Sequence, residues 1–225
     1  MARKHYEAII IGAGSVGVPA ALALAQAGVQ TLVLDSMPSV GQGSNKTAIG
    51  GIRATHSDPA KIRLGLRSIE IFSTWQETFG DDVEWYRGGY SFVAYREREG
   101  RILKDLLEIQ HSYGLNIDWL DKEALLEVIP DLNPKDLVGG TFSPQDGNAS
   151  PLLAIHAFYR HAQRMGTEFH FGERVIAIGV RGGRVVKVET DKAEYGTDVV
   201  INAAGPWASE VAQMVGLDTP VTPDS

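Results

Sequence analysis

The apolar positions of this chain fall into runs with recognisable periods. Tyr6-Glu7-Ala8-Ile9-Ile10-Ile11 reads as one buried strand, Val18 to Ala27 as an alanine- and leucine-rich helix, and Thr31-Leu32-Val33-Leu34 as a second strand. From Asp58 to Phe79 the residues Ile62, Leu66, Ile69, Phe72 and Trp75 recur every three or four positions, which predicts an amphipathic helix with one buried stripe. Gly80-Asp81-Asp82 ends it, and Trp85 to Tyr95, with aromatic and β-branched bias, reads as extended chain. A charged amphipathic helix is expected over 96–114, a short one over 121–128 stopped by Pro130, and a strand over 138–144. Ser150-Pro151 supplies an N-cap and a first-turn proline for a helix running to about Met165. Extended segments at 167–171, 175–180, 185–189 and near Tyr195, with the tight Gly182-Gly183 turn, predict a β-meander. Val199-Val200-Ile201 is the unbroken apolar run of a parallel strand covered on both faces, and Ala208 to Val215 reads as a closing helix.

This order predicts an α/β protein: a Rossmann-like nucleotide domain with a β-meander, interrupted by part of an α+β insertion. The expected boundaries are 1–84 for the first part of the nucleotide domain, 85–147 for the inserted segment that shapes a substrate pocket, and 148–218 for the second part. The last stretch, 219–225, reads as the start of a return to the inserted domain.

Composition narrows the classes. With 225 residues, 44 % of them apolar, the chain can bury one large core or two modest ones. A formal charge of −7 without a basic cluster argues against nucleic acid or an anionic membrane surface. No cysteine is present, so disulfides, thiolate metal sites and thiol nucleophiles are excluded within the chain. Met1 to His5 leads straight into a strand with no secretory pattern, and no apolar run can span a bilayer; a cytoplasmic protein is the expectation. No metal site is expected, because His156 and His161 are five apart and miss the zinc-binding i, i+4 face. Ser15 lacks the glycine two places earlier that a nucleophile elbow needs, and no acid and base pair of carboxylates is recognisable.

The candidate chemistry lies at the strand-to-helix junction, Gly12-Ala13-Gly14-Ser15-Val16-Gly17. Gly12 suits the tight turn, Gly14 the close approach of backbone to a pyrophosphate, and Gly17 close packing of helix on strand. A helix N-terminus there attracts phosphate without any lysine. Asp35 closes the second strand eighteen positions after Gly17, near the spacing at which an acid takes the ribose hydroxyls of a dinucleotide. The bland alternative is an ordinary βαβ unit with chance glycines. The segment Gly41 to Arg53 is rich in glycine and small residues, with Ser44 and Asn45 as short polar groups, and suits backbone pressed against a ligand as well as a flexible connector.

Taken with Asn202-Ala203-Ala204-Gly205-Pro206-Trp207-Ala208, these segments resemble the FAD-dependent amine and amino-acid oxidoreductases of the D-amino-acid oxidase superfamily, in its glycine oxidase, sarcosine oxidase β-subunit and dye-linked proline dehydrogenase β-subunit branches. The resemblance implies non-covalent FAD, since Gly147-Asn148-Ala149-Ser150 carries no flavin-linking histidine. It implies that Gly12, Gly14, Ser15 and Gly17 hold the pyrophosphate and Asp35 the ribose, with Ser36 in the cofactor-binding set. Gly43, Ser44, Asn45, Lys46, Ala48, Gly50 and Gly51 would line the pyrophosphate and flavin, Val175 would meet the adenine through its backbone, and Ala203, Ala204, Gly205 and Trp207 would lie by the cofactor. Arg53 is the candidate for holding a substrate carboxylate, its alternative being a structural ion pair; His56 could border the same pocket. The expected activity is oxidation of the C–N bond of an amino acid or N-alkyl amino acid, such as sarcosine, glycine, proline or a D-amino acid, by hydride transfer to flavin. A small-molecule amine or amino acid is then the partner, with room for a partner subunit or homo-oligomer. Two alternatives stand beside it: a flavin-binding subunit or truncated domain without turnover, and an NAD-linked dehydrogenase, which would share only the first glycine motif.

Overall fold

The computed structural model describes residues 4–220 and divides the chain into two compact units, Met1–Ala48 with Pro151–Ser225, and Ile49–Ser150. The expected return segment lies outside the described residues from Val221 onward. The first unit opens with β1 (His5–Tyr6), β2 (Ala8–Ile11), α1 (Gly17–Gln26) and β3 (Thr31–Asp35). The second holds β4 (Gly51–Ile52), α2 (Pro59–Ser73), α3 (Trp75–Phe79), β5 (Tyr90–Ala94), α4 (Glu97–Ser112), β6 (Asp118–Asp121), α5 (Lys122–Val128), β7 (Gly139–Ser143) and β8 (Gly147–Asn148). The first unit resumes with α6 (Pro151–Arg164), β9 (Glu168–Phe171), β10 (Val175–Arg181), β11 (Arg184–Thr190), β12 (Glu194–Thr197), β13 (Val200–Asn202) and α7 (Ala208–Gln213).

The first unit is layered. A four-stranded parallel sheet has the order β13-β2-β3-β9, and a second sheet, β1-β12-β11-β10, is the meander with β1 added. Ile9, Ile11, Leu32 and Leu34 face Val175, Ile178, Val188 and Tyr195 of the meander, together with Val211 of α7. The alternate residues Ile10 and Val33 are equally buried, as a parallel sheet covered on both sides requires; α1 packs against both β3 and α6. Ile9 and Leu32 are fully buried, and each such side chain contributes about 1.5–3 kcal/mol over its exposed state.

Two expectations change here. The strand expected over residues 6 to 11 is two strands: Tyr6 pairs in parallel with Thr197 of the meander, whereas Ala8–Ile11 pairs with β13 and β3. An apolar run records burial and not the partner, so the change of sheet at Glu7 leaves no local mark. Likewise, Glu168–Phe171, expected among the segments of the meander, joins the parallel sheet beside β3.

The second unit is α+β. Its three-stranded antiparallel sheet has the order β5-β7-β6, beside a two-stranded pair of β4 and β8. The helix expected over residues 58–79 is two, α2 and α3, meeting at Thr74. There the hydroxyls of Ser73 and Thr74 both donate to the Glu70 carbonyl, which competes with continuation of the helix, and the turn seats Trp75 in the core beside Phe79. Asp58 caps α2 by accepting the Lys61 N–H at 3.0 Å. The strand β6, Asp-Trp-Leu-Asp, was not foreseen, since four residues flanked by acids show no period; its last residue caps α5 through the Ala124 N–H. The division between units falls at Ala48/Ile49 and Ser150/Pro151 rather than at residues 84/85, because α2 packs through Leu66 and Ile69 on Ala54, Leu115 and Ile117.

Candidate functional site

The register of the parallel sheet places four chain exits in one row. Asn202 lies beside Ile11, Ile11 beside Leu34, and Asp35 beside Phe171. The segments that follow therefore emerge side by side at the carboxyl edge, where ligands bind in open α/β sheets. A cavity of about 820 Å³ lies there, within the roughly 300–1,000 Å³ of ligand sites.

The three glycines of the turn have three different surroundings. Gly12 has φ +111°, and a Cβ on it would overlap the Ala203 carbonyl. A Cβ on Gly17 would overlap the carbonyl of Gly12, so α1 starts directly against the turn. Gly14 has no atom within 4 Å of its Cβ position and borders the cavity. The N–H groups of Gly14, Ser15 and Val16 take no partner among the described residues, and no acid lies in the first turn of α1. Free N–H groups and the helix dipole make this an anion site.

Asp35 does more than the spacing rule foresees. Its Oδ2 accepts the Ala13 N–H at 2.6 Å and its Oδ1 the Met37 N–H at 2.8 Å. The carboxylate thus stitches the glycine turn to its own strand, and the second lone pair of each oxygen remains for a ligand hydroxyl.

Of the expected cofactor residues, Gly12, Gly14, Ser15, Asp35, Ser36, Gly43, Ser44, Asn45, Val175, Ala203, Ala204, Gly205 and Trp207 line the cavity. Gly17 lies beneath the turn instead. Lys46 and Ala48 are exposed and do not border it: Ser44–Thr47 forms one 3-10 turn, which directs consecutive side chains to different sides. The Asn45 amide donates to the Pro151 carbonyl at 3.2 Å, tying this loop to the start of α6. Gly50, Gly51 and Arg53 belong to the second unit. Met37, Glu173, Arg174, Asp191 and Glu210 also border the cavity and had no signal in the sequence, because they are placed by strand exits and not by a motif.

Within the second unit, Arg53 is held from several sides. Its guanidinium lies over the rings of Tyr90 and Phe92, at 5.1 and 5.0 Å, and donates to the Thr55 carbonyl. Asp146, fully buried, accepts the Ala54 N–H at 3.2 Å and the Thr55 hydroxyl at 2.7 Å. A Cβ on Gly65 of α2 would meet the backbone of Arg53 and Ala54, and Gln110 donates to the His56 carbonyl at 3.1 Å. No carboxylate pairs with Arg53 among the described residues. The structural ion pair weighed from sequence is therefore absent there. Burial, and next the charge of Arg53, holds the His56 imidazole below its ordinary range.

A family model described as "FAD dependent oxidoreductase", DAO, matches residues 7–224. The chain belongs to this family. Its nucleotide is FAD, and the cavity fits that group: an open face at Gly14, unpaired N–H donors at a helix start and acceptor capacity on Asp35. Mitochondrial dimethylglycine dehydrogenase of Rattus norvegicus is 28 % identical over 98 % of this chain and 26 % of its own length. Monomeric sarcosine oxidase of Bacillus sp. (strain B-0618) is 25 % identical over 97 % of this chain and 56 % of its own length. The crystal structure of L-proline dehydrogenase from P. horikoshii superposes with a TM-score of 0.91 and 29 % identity, covering 97 % of this chain and 57 % of that one. The chain thus spans from about a quarter to somewhat over half of these relatives. No helix among the described residues is long and apolar enough to cross a membrane.

Proposed function

We propose that this member of the family binds FAD non-covalently and takes part in oxidising the C–N bond of an amino acid or N-alkyl amino acid. Two of its relatives are named for dimethylglycine and sarcosine and the third for L-proline, all amino acids with a substituted nitrogen. The observation that carries the substrate class is Arg53: a cation held by the Thr55 carbonyl and by two aromatic rings, with no carboxylate partner among the described residues. Such a guanidinium is prepared to hold a substrate carboxylate through two parallel hydrogen bonds.

The glycine turn and the free N–H groups of residues 14–16 would take the pyrophosphate, and Asp35 the ribose hydroxyls. The bound flavin supplies the two-electron acceptor for a hydride leaving the carbon next to nitrogen. A primary or secondary amine would also lose an N–H proton and become an imine, whereas a tertiary amine such as dimethylglycine would become an iminium ion; water hydrolyses either to a carbonyl compound and an amine. A guanidinium is a permanent cation, and Arg53 would orient the substrate by its carboxylate.

The test is anaerobic addition of sarcosine, dimethylglycine, proline, glycine and D-alanine to the flavin-loaded protein. Bleaching of the flavin band by one of them supports the enzyme, and none favours a flavin-binding chain without turnover. Arg53→Ala should raise KM for the active substrate by on the order of 10- to 1,000-fold, as expected for a lost charged pair. Unchanged kinetics would remove Arg53 from the site.

A further inference from the structure

Glu173 is a carboxylate for which ligand binding as described so far has no use. It is the buried acid of the cavity lining, only 6 % exposed, and burying a carboxylate is costly unless its oxygens are satisfied. Here they are. Oε1 accepts the hydroxyls of Thr190 at 2.7 Å and Tyr195 at 2.8 Å, and Oε2 lies 3.3 Å from His170 Nδ1. The Tyr195 hydroxyl also lies 3.0 Å from His170 Nδ1. Burial, and then the bond to Glu173, raises the Tyr195 phenol above its ordinary range, which keeps the hydroxyl a donor.

What these bonds hold together is the lining itself. The Thr190 hydroxyl oxygen accepts the N–H groups of Lys192 and Ala193. Arg174 N–H donates to the Asp191 carboxylate at 3.0 Å, and Asp191 N–H returns a bond to the Arg174 carbonyl at 2.9 Å. Gly172 and Glu173 donate through their N–H groups to the carbonyls of Met37 and Asp35. Two loops, 172–175 and 190–193, are thereby knotted to each other around one carboxylate and to the end of β3. Asp35, Glu173, Arg174, Val175 and Asp191 all border the cavity. Asp35 marks the ribose end of the dinucleotide, so the knot sits at the adenosine half and away from the anion site of α1.

We infer that Glu173 is a positioning residue for the adenosine half of FAD: it fixes the two loops that shape that end of the cavity, without being a phosphate ligand. The inference rests on the reading of the cavity as the FAD site. The protein stripped of flavin is titrated with FAD, ADP and inorganic pyrophosphate by calorimetry. Glu173→Ala should weaken FAD and ADP by about 10- to 100-fold, the loss of one or two charge-assisted bonds, while pyrophosphate stays within about twofold, as for a distant site. Glu173→Gln, which keeps one acceptor for the two hydroxyls, should bind ADP between wild type and the alanine variant. Should Glu173→Ala not fold, Tyr195→Phe removes one donor and should cost ADP about 3- to 10-fold with pyrophosphate again unaffected. ADP and pyrophosphate weakening together, or neither changing, would overturn the inference, leaving Glu173 a purely structural acid. Wild-type protein that binds neither FAD nor ADP would overturn the cavity reading itself.

Discussion

The two units hold their candidate groups by opposite means. In the first, the cavity is made mostly of backbone: glycines without side chains, unpaired N–H groups at the start of α1, and four strand exits in a row. In the second, one charged side chain is aimed by other side chains, with Asp146 beneath the backbone that follows Arg53 and Tyr90 and Phe92 beneath its guanidinium. A backbone-built site should be harmed by adding atoms, and a side-chain-built site by removing them.

The largest expected effect comes from Gly12→Val. The new side chain would overlap the Ala203 backbone at a φ of +111°, which costs more than about 4 kcal/mol, read as a collapse of the urea midpoint and loss of retained flavin. A variant of wild-type stability would show that the Gly12 and Ala203 turns are not pressed together. Next is Asp146→Ala, which strips the buried Ala54 N–H and Thr55 hydroxyl of their acceptor. About 3 kcal/mol of destabilisation is expected, with ADP affinity of the folded fraction unchanged because the cavity lies in the other unit. Gly14→Val sharpens the contrast within the turn. With nothing within 4 Å of its Cβ, it should leave the midpoint within about 0.5 kcal/mol yet weaken FAD by about 10- to 100-fold by occupying the pyrophosphate's approach. Equal stability losses at Gly12 and Gly14 would break this distinction.

The smallest effect concerns pH. His56 is held below its ordinary value of 6.5, by burial first and then by Arg53, so on acidification the unfolded chain takes up its proton before the folded one does. The stability this gives is fully present above about pH 6.5 and declines as pH falls through the lower folded value. The urea midpoint should fall less between about pH 7.5 and 5.5 in His56→Gln than in the wild type; parallel curves would assign the acid sensitivity to other groups.

Much of the first unit was legible. The glycine pattern, the two strands around it and Asp35 are local features, and Pro151 begins a helix at the position where a first-turn proline belongs. What could not be read was partnership. Tyr6 and Ala8 look alike in sequence and enter different sheets. Asp35 has the right spacing for a ribose, yet nothing local says that it also closes the turn on Ala13. Arg53 could be singled out as a guanidinium, but its rings lie nearly forty residues on, and Glu173 carries no motif at all.

By itself, then, the amino-acid order determined where chain becomes strand, glycine turn or helix, because backbone freedom and the period of apolar positions are properties of neighbours. The tertiary structure alone decided which strands lie side by side, and so which distant segments share one cavity edge and which buried carboxylate serves which loop. Those choices depend on hydrogen-bond ladders and packing between residues up to about two hundred positions apart, where the local pattern is the same for every candidate partner.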